Sequence, residues 1–136
     1  MNSTPKYRSP DGKHKLSFIL EGEIRYGPSY YKLELNGKPI KNRIFGFVNL
    51  WHPESRFLAL QEWLTTDYQE GPITSLTIID LKEMLIANIS TLQKGFISPI
   101  KFEEDVILYQ KDYSFGQKRE FEMDLRTVKN WQKMIL

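Results

Sequence analysis

Trp51-His52-Pro53-Glu54-Ser55-Arg56-Phe57-Leu58-Ala59-Leu60 is the stretch on which the fold turns. An aromatic residue leads into a short polar segment with a proline, and an apolar run follows. Proline fixes φ and has no N–H, so it belongs between strands rather than inside one. The run 57–60 is too short for a helix and suits a strand buried on both faces. The same order of residues occurs earlier. Ser9-Pro10-Asp11-Gly12-Lys13 precedes the apolar run 16–20, and the two prolines are 43 residues apart. A weaker third copy, Phe102-Glu103-Glu104-Asp105, precedes 106–109. Asn36, Asp80 and Asp124 mark the far end of each copy. They are spaced 44 residues apart, each follows a strand-like run, and each has a base two positions on: Lys38, Lys82 and Arg126. A fixed period of this size signals repeated supersecondary units.

Between the markers the apolar period is two. Tyr31, Leu33 and Leu35 alternate with Lys32 and Glu34. Asn36-Gly37 supplies the two positive-φ positions of a type I′ hairpin turn. Two segments read both ways. Asp80 with Glu83 three positions on resembles a helix capping box, and Leu81, Met84, Leu85, Asn88, Ile89 and Leu92 recur at helical spacing. The repeat register instead makes 85–89 the fourth strand of the second unit. Leu125, Val128, Trp131 and Ile135 pose the same choice at the C-terminus. Trp51 and Phe102 each end the strand that enters the hairpin of its unit, and both are predicted to be buried.

The Ser-Pro-Asp-Gly-Lys phrase and the 51–60 stretch resemble the hairpin between the first two strands of a β-propeller blade of the WD40 or TolB type. The resemblance implies an all-β antiparallel meander of three blade-like units, at about 9–44, 45–90 and 95–132 of one domain spanning 1–136. Closed propellers have typically 4–8 blades. Three units therefore imply a partial propeller, an open β-sandwich, or closure by association. Propeller functions vary freely, so the resemblance carries no activity with it.

Composition excludes several classes. The chain has 136 residues, 26% of them charged and 40% hydrophobic, which suits a folded core rather than disorder. It has no cysteine and only two histidines, His14 and His52, so no disulfide scaffold, thiolate site or all-histidine zinc site is available. No apolar run approaches a membrane span, and the N-terminus lacks a signal-peptide core. The expectation is a cytoplasmic protein. Net charge is +2, split into +5 over residues 1–44 and −4 over 54–83. The basic residues of the first third alternate with apolar ones, as on a solvated strand face, so no nucleic-acid partner is expected. No hydrolase, zinc-protease or phosphate-loop motif occurs. His52 and Glu54 fall in a turn whose first copy has Ser9 and Asp11 instead, which favours a turn role over catalysis. No enzyme activity, cofactor or metal is expected.

One loop stands out. Residues 61–75 carry Glu62, Asp67 and Glu70 without a base, together with Trp63 and Tyr68. Loops of this length are often functional, and Trp and Tyr are enriched at interface hot spots. The first unit has Tyr26, Tyr30 and Tyr31 at the equivalent place, and the third has Tyr109, Tyr113 and Phe115. If the units stack, these loops line one edge. The expected site is Glu62, Trp63, Asp67, Tyr68 and Glu70, with Tyr26, Tyr30 and Tyr113. The expected function is a small non-enzymatic protein-binding module, of the kind of a bacterial immunity or inhibitor protein that neutralises a toxin by charge complementarity. A composition rich in Lys, Ile, Asn and Tyr fits an AT-rich bacterial genome. The alternatives are a carbohydrate- or small-ligand-binding protein and a structural subunit that completes a propeller by oligomerising.

Overall fold

Asn36 (φ 55°) and Gly37 (φ 81°) form a tight hairpin turn. In the computed structural model, which describes residues 6–24, 27–67, 69 and 71–134, that turn follows two long strands, β1 (Leu16–Glu23) and β2 (Ser29–Leu35). It leads into the two-residue β3 (Lys38–Pro39) against β2. The chain continues as an antiparallel meander: β4 (Ile44–Trp51), β5 (Phe57–Trp63), β6 (Ile73–Asp80) and β7 (Leu85–Gln93). Lys94 (φ 61°) then turns it into β8 (Gly95–Glu103), β9 (Val106–Tyr113) and β10 (Lys118–Asp124), which form a second sheet in the order β10-β9-β8. A 3-10 turn (Leu125–Thr127) precedes β11 (Gln132–Lys133), which covers the outer edge of β7. The large sheet runs β1-β2-β4-β5-β6-β7-β11. The fold is all-β and antiparallel. Among the described residues no helix is long and apolar enough to cross a membrane.

The large sheet is strongly curled, and each face has its own core. On the inner face Leu16, Leu33, Leu35, Phe45, Trp51, Leu58, Leu60, Ile79 and Ile86 meet across the curl. On the outer face Phe57, Ala59, Leu76 and Ile78 pack against Ile97, Phe102, Ile107 and Tyr109 of the second sheet. This explains why 57–60 and 76–79 lack alternation: β5 and β6 are buried on both sides. Trp51 and Phe102 are both buried, as their positions predicted.

The repeat survives in the turns. Ser9 N–H donates to His14 O while Ser9 O accepts from Gly12 N–H; His52 N–H donates to Phe57 O while His52 O accepts from Ser55 N–H. The fourth position has positive φ in both, at Gly12 (74°) and Ser55 (62°). The two turns touch, with Asp11 N–H donating to Ser55 Oγ at 3.0 Å. The units do not stand as three blades, however. Tyr31 of β2 pairs with Phe45 of β4, so the first two units share one sheet and only the third has its own.

The helix reading of 81–92 gives way to strand. Asp80 Oδ1 does accept from the N–H groups of Lys82 and Glu83, at 3.0 and 3.1 Å, as a helix cap would. The chain then leaves through Met84 at φ 54° into β7 instead of continuing a helix. Asp124 repeats the device. It accepts from Arg126 N–H and caps only a single 3-10 turn, so the helical spacing is not used through Trp131, and Ile135 lies outside the described residues.

Asp80 is nearly buried and grips the half-exposed Arg56 through both oxygens, at 3.0 and 2.9 Å. Burial pushes its carboxyl up, but the Arg56 guanidinium and the Glu83 and Lys82 amides together hold it below its ordinary value. A carboxyl held down stabilises the fold above its unfolded pKa, and that stability disappears as pH falls through the folded value. Asp80→Asn should therefore cost about 1.5–3 kcal/mol at neutral pH, toward the lower end because solvent screens Arg56. Urea melts should show the gap from wild type narrowing below the ordinary carboxyl value of 3.8. A gap that stays constant into acid would assign the effect to packing, not charge.

Candidate functional site

The loop expected over 61–75 is shorter than its sequence implied. β5 continues through Trp63 and β6 begins at Ile73, which leaves 64–72 between strands. Glu62 (5% exposed) and Trp63 (4%) are therefore buried strand residues, not loop anchors. The physical reason differs between the two: Glu62 faces the inner side, where Arg43, Thr77 and Asn88 enclose it, and Trp63 faces the second sheet. That sheet covers the outer face of β5, where Trp63 packs at 5.7 Å from the Phe96 ring and donates its Nε1–H to Gln61 Oε1 at 3.0 Å. A Cβ at Gly46 would collide with Gln61 Oε1 and Trp63 Nε1, so glycine is the residue that lets β4 pass here. Asp67 is exposed and accepts from Gln69 N–H within the loop. Tyr30 is half-buried at 6.3 Å from Trp63, and Tyr113 is half-buried beside Phe115 at 5.2 Å. Tyr26, Tyr68 and Glu70 lie outside the described residues.

The three loop ends do meet. Tyr30 lies against Trp63, Gly95 N–H donates to Pro72 O, and Ser114 N–H donates to Lys94 O. An open groove of about 640 Å³ lies at this end, with Tyr30, Lys32, Arg43, Glu62 and Leu64 in its wall. Arg43 and Glu62 of this wall belong to a polar cluster on the inner face of the sheet. Glu62 Oε1 accepts from Arg43 Nη1 (2.7 Å), Thr77 Oγ1 (2.8 Å) and Asn88 Nδ2 (3.1 Å). Asn88 Nδ2 also donates to Ser75 Oγ at 2.8 Å, and Arg43 Nη1 reaches Asn88 Oδ1 at 3.2 Å. These bonds join three strands, β5, β6 and β7, and the residue before β4. The acid expected to match a partner's charge is thus matched inside the fold, by Arg43.

A second surface carries residues outside the expected site. Tyr7, Phe18, Tyr31 and Phe47 form one aromatic cluster on the open part of the inner face. Phe18 lies edge-on to Tyr7 (6.2 Å), Tyr31 (5.9 Å) and Phe47 (4.9 Å), and Tyr31 is 5.2 Å from Phe47. Leu20, opposite Tyr31 in the β1–β2 register, extends the patch. Tyr7 is 48% exposed, Phe47 42% and Leu20 62%. A bulge places Phe47 there: three residues of β4, 46–48, face the single residue Gln61 of β5. The available signal was Leu16-Ser17-Phe18-Ile19-Leu20. Adjacent apolar residues in a strand fall on opposite faces, and Ile19 and Leu20 both stay exposed on theirs.

The histidines have turn roles. His52 Nδ1 accepts from Glu54 N–H at 3.1 Å, so Nε2 carries the proton and donates to Glu104 O at 2.9 Å. That bond ties the second turn to the third. His14 Nδ1 lies 3.0 Å from Asn36 Nδ2 beside the first turn. No family model matches the sequence, and no curated protein and no solved structure shows a significant similarity to it.

Proposed function

We propose that this chain is a non-enzymatic protein-binding module whose contact surface is the Tyr7–Phe18–Tyr31–Phe47 patch with Leu20. The observation that supports it is a cluster of large apolar rings held against one another, with Tyr7 and Phe47 exposed and Phe18 and Tyr31 half-buried between them. Rings fixed by mutual packing lose little conformational entropy on binding, and contiguous exposed apolar surface marks interaction sites. The narrower reading, an immunity or inhibitor protein that blocks a toxin, belongs to this class. Its basis shifts from charge matching to aromatic anchoring, because Glu62 is held by Arg43.

Panning a phage-displayed peptide library on the immobilised full chain tests the proposal. The enriched peptides should carry aromatic or branched aliphatic residues at alternate positions. Their affinity should fall about 30-fold on Phe47→Ser, the consequence of losing a hot-spot anchor of roughly 2 kcal/mol. Asp67→Asn should change it little. Peptides that bind Phe47→Ser and Tyr31→Ser as tightly as the wild type would remove the patch from the site.

A further inference from the structure

Among the described residues, one end of the large sheet is covered by a further strand and the other is not. β11 covers β7, whereas β1 ends the sheet with no long strand beyond it among the described residues. The short segment before the first turn shields only its start: Arg8 bridges Lys15, and Leu16 N–H donates to Tyr7 O. Since Leu16 N–H points away from β2, the backbone groups of Phe18 and Leu20 point away as well, by the alternation of an antiparallel ladder. An extended bulge residue, Glu21, ends this free edge, because Leu20 pairs with Tyr31 and Gly22 with Tyr30. The second sheet protects its own edge differently. β10 presents Lys118, Arg119, Glu120 and Glu122, all exposed. Charge of that kind blocks edge pairing. β1 shows the opposite chemistry at its free groups: Phe18 and Leu20 on the inner face, and Ile19, 44% exposed, on the outer.

We propose that the occupant of this edge is a second copy of the chain, paired antiparallel through β1. The edge is self-complementary about Ile19. In the two-fold register that uses its free groups, Phe18 of each copy exchanges backbone hydrogen bonds with Leu20 of the other. Phe18 and Leu20 then meet on the inner face, and the two Ile19 side chains meet on the outer face. Beyond these pairs, the antiparallel sense brings the acidic end of each β1, Glu21 and Glu23, toward the other copy's basic Arg8, Lys13 and Lys15, with Arg8 already lying beside Lys15. Cross-strand apolar pairs stabilise a sheet, and the charges at the ends of the pairing are complementary. The pairing joins the two curled sheets and brings the two aromatic patches side by side, so one partner would face both. The inference goes beyond the binding proposal and is separable from it, because Ile19 lies on the face opposite the patch.

Sedimentation equilibrium of the full chain, from low micromolar to near-millimolar concentration, should give a mass approaching twice 16.1 kDa. Ile19→Lys and Ile19→Glu should each sediment as monomers with unchanged circular dichroism, since like charges would face each other across the two-fold axis. Mixed in equal amounts, the two variants should recover the dimer mass. A wild type that stays monomeric across the range would overturn the proposal. So would a dimer that neither variant disturbs, and a mixture that stays monomeric would overturn the register. Peptide binding by Ile19→Lys, measured in parallel, reports on the patch alone.

Discussion

Trp63→Ala is expected to lower folding stability by about 3–5 kcal/mol, the range for a large buried aromatic. The side chain is 4% exposed and packs between Tyr30 and Phe96 under the edge of the second sheet. Truncation leaves a cavity there and also deprives the buried Gln61 Oε1 of its donor. Gln61 itself fastens β5 to the second sheet through Ile97 O at 2.9 Å, so the loss spreads to the contact between the sheets. Urea denaturation and a thermal melt measure it. A loss under about 1 kcal/mol would place the ring at the surface in solution. A partner-binding defect with an unchanged melt would restore Trp63 to the role of interface anchor.

How far the sequence carries to this point differs between levels. Turns are legible because they depend on local chemistry. Asn36-Gly37 has the two left-handed positions its dipeptide requires, and the paired proline turns share their hydrogen bonds. Sheet membership is not local. Nothing in 31–45 says that β2 will pair with β4, the step that merges two units into one sheet. The end of β5 was misjudged for a related reason. Gln61-Glu62-Trp63 reads as the start of a polar loop, yet its polar groups find partners inside the fold: Glu62 accepts from Arg43, Gln61 Nε2 donates to Ile97 O of the second sheet, and Gln61 Oε1 accepts from Trp63 Nε1 within β5. A visible clue was the cluster of hydroxyls at Thr74, Ser75 and Thr77 within an otherwise apolar strand, with Asn88 in the next one. Polar residues buried at neighbouring strand positions require one another, and an acid beside them is then an internal acceptor rather than a rim charge.

The largest charge effect should follow from that internal acceptor. Glu62→Ala is expected to cost about 3–5 kcal/mol, because it breaks a mostly buried ion pair and leaves Arg43 uncompensated. The side chains are 7% and 19% exposed, and Thr77 and Asn88 lose their acceptor in the same step. Arg43→Ala should cost less, since Thr77 and Asn88 still donate to the carboxylate. Glu62→Gln keeps an acceptor oxygen for those two donors and should fall below both. The decisive comparison is the double variant Glu62→Leu/Arg43→Met. Its cost should be smaller than the sum of Glu62→Leu and Arg43→Met measured singly, by a coupling of about 0.5–3 kcal/mol, because removing both charges leaves neither unpaired. Urea melts of the four proteins complete the cycle. Strictly additive costs would mean that water separates the two side chains and that this part of the groove wall is open to solvent. A strong coupling would mean that the pair is a fixed part of the sheet, so that binding chemistry has to come from the aromatic face of β1, β2 and β4 instead.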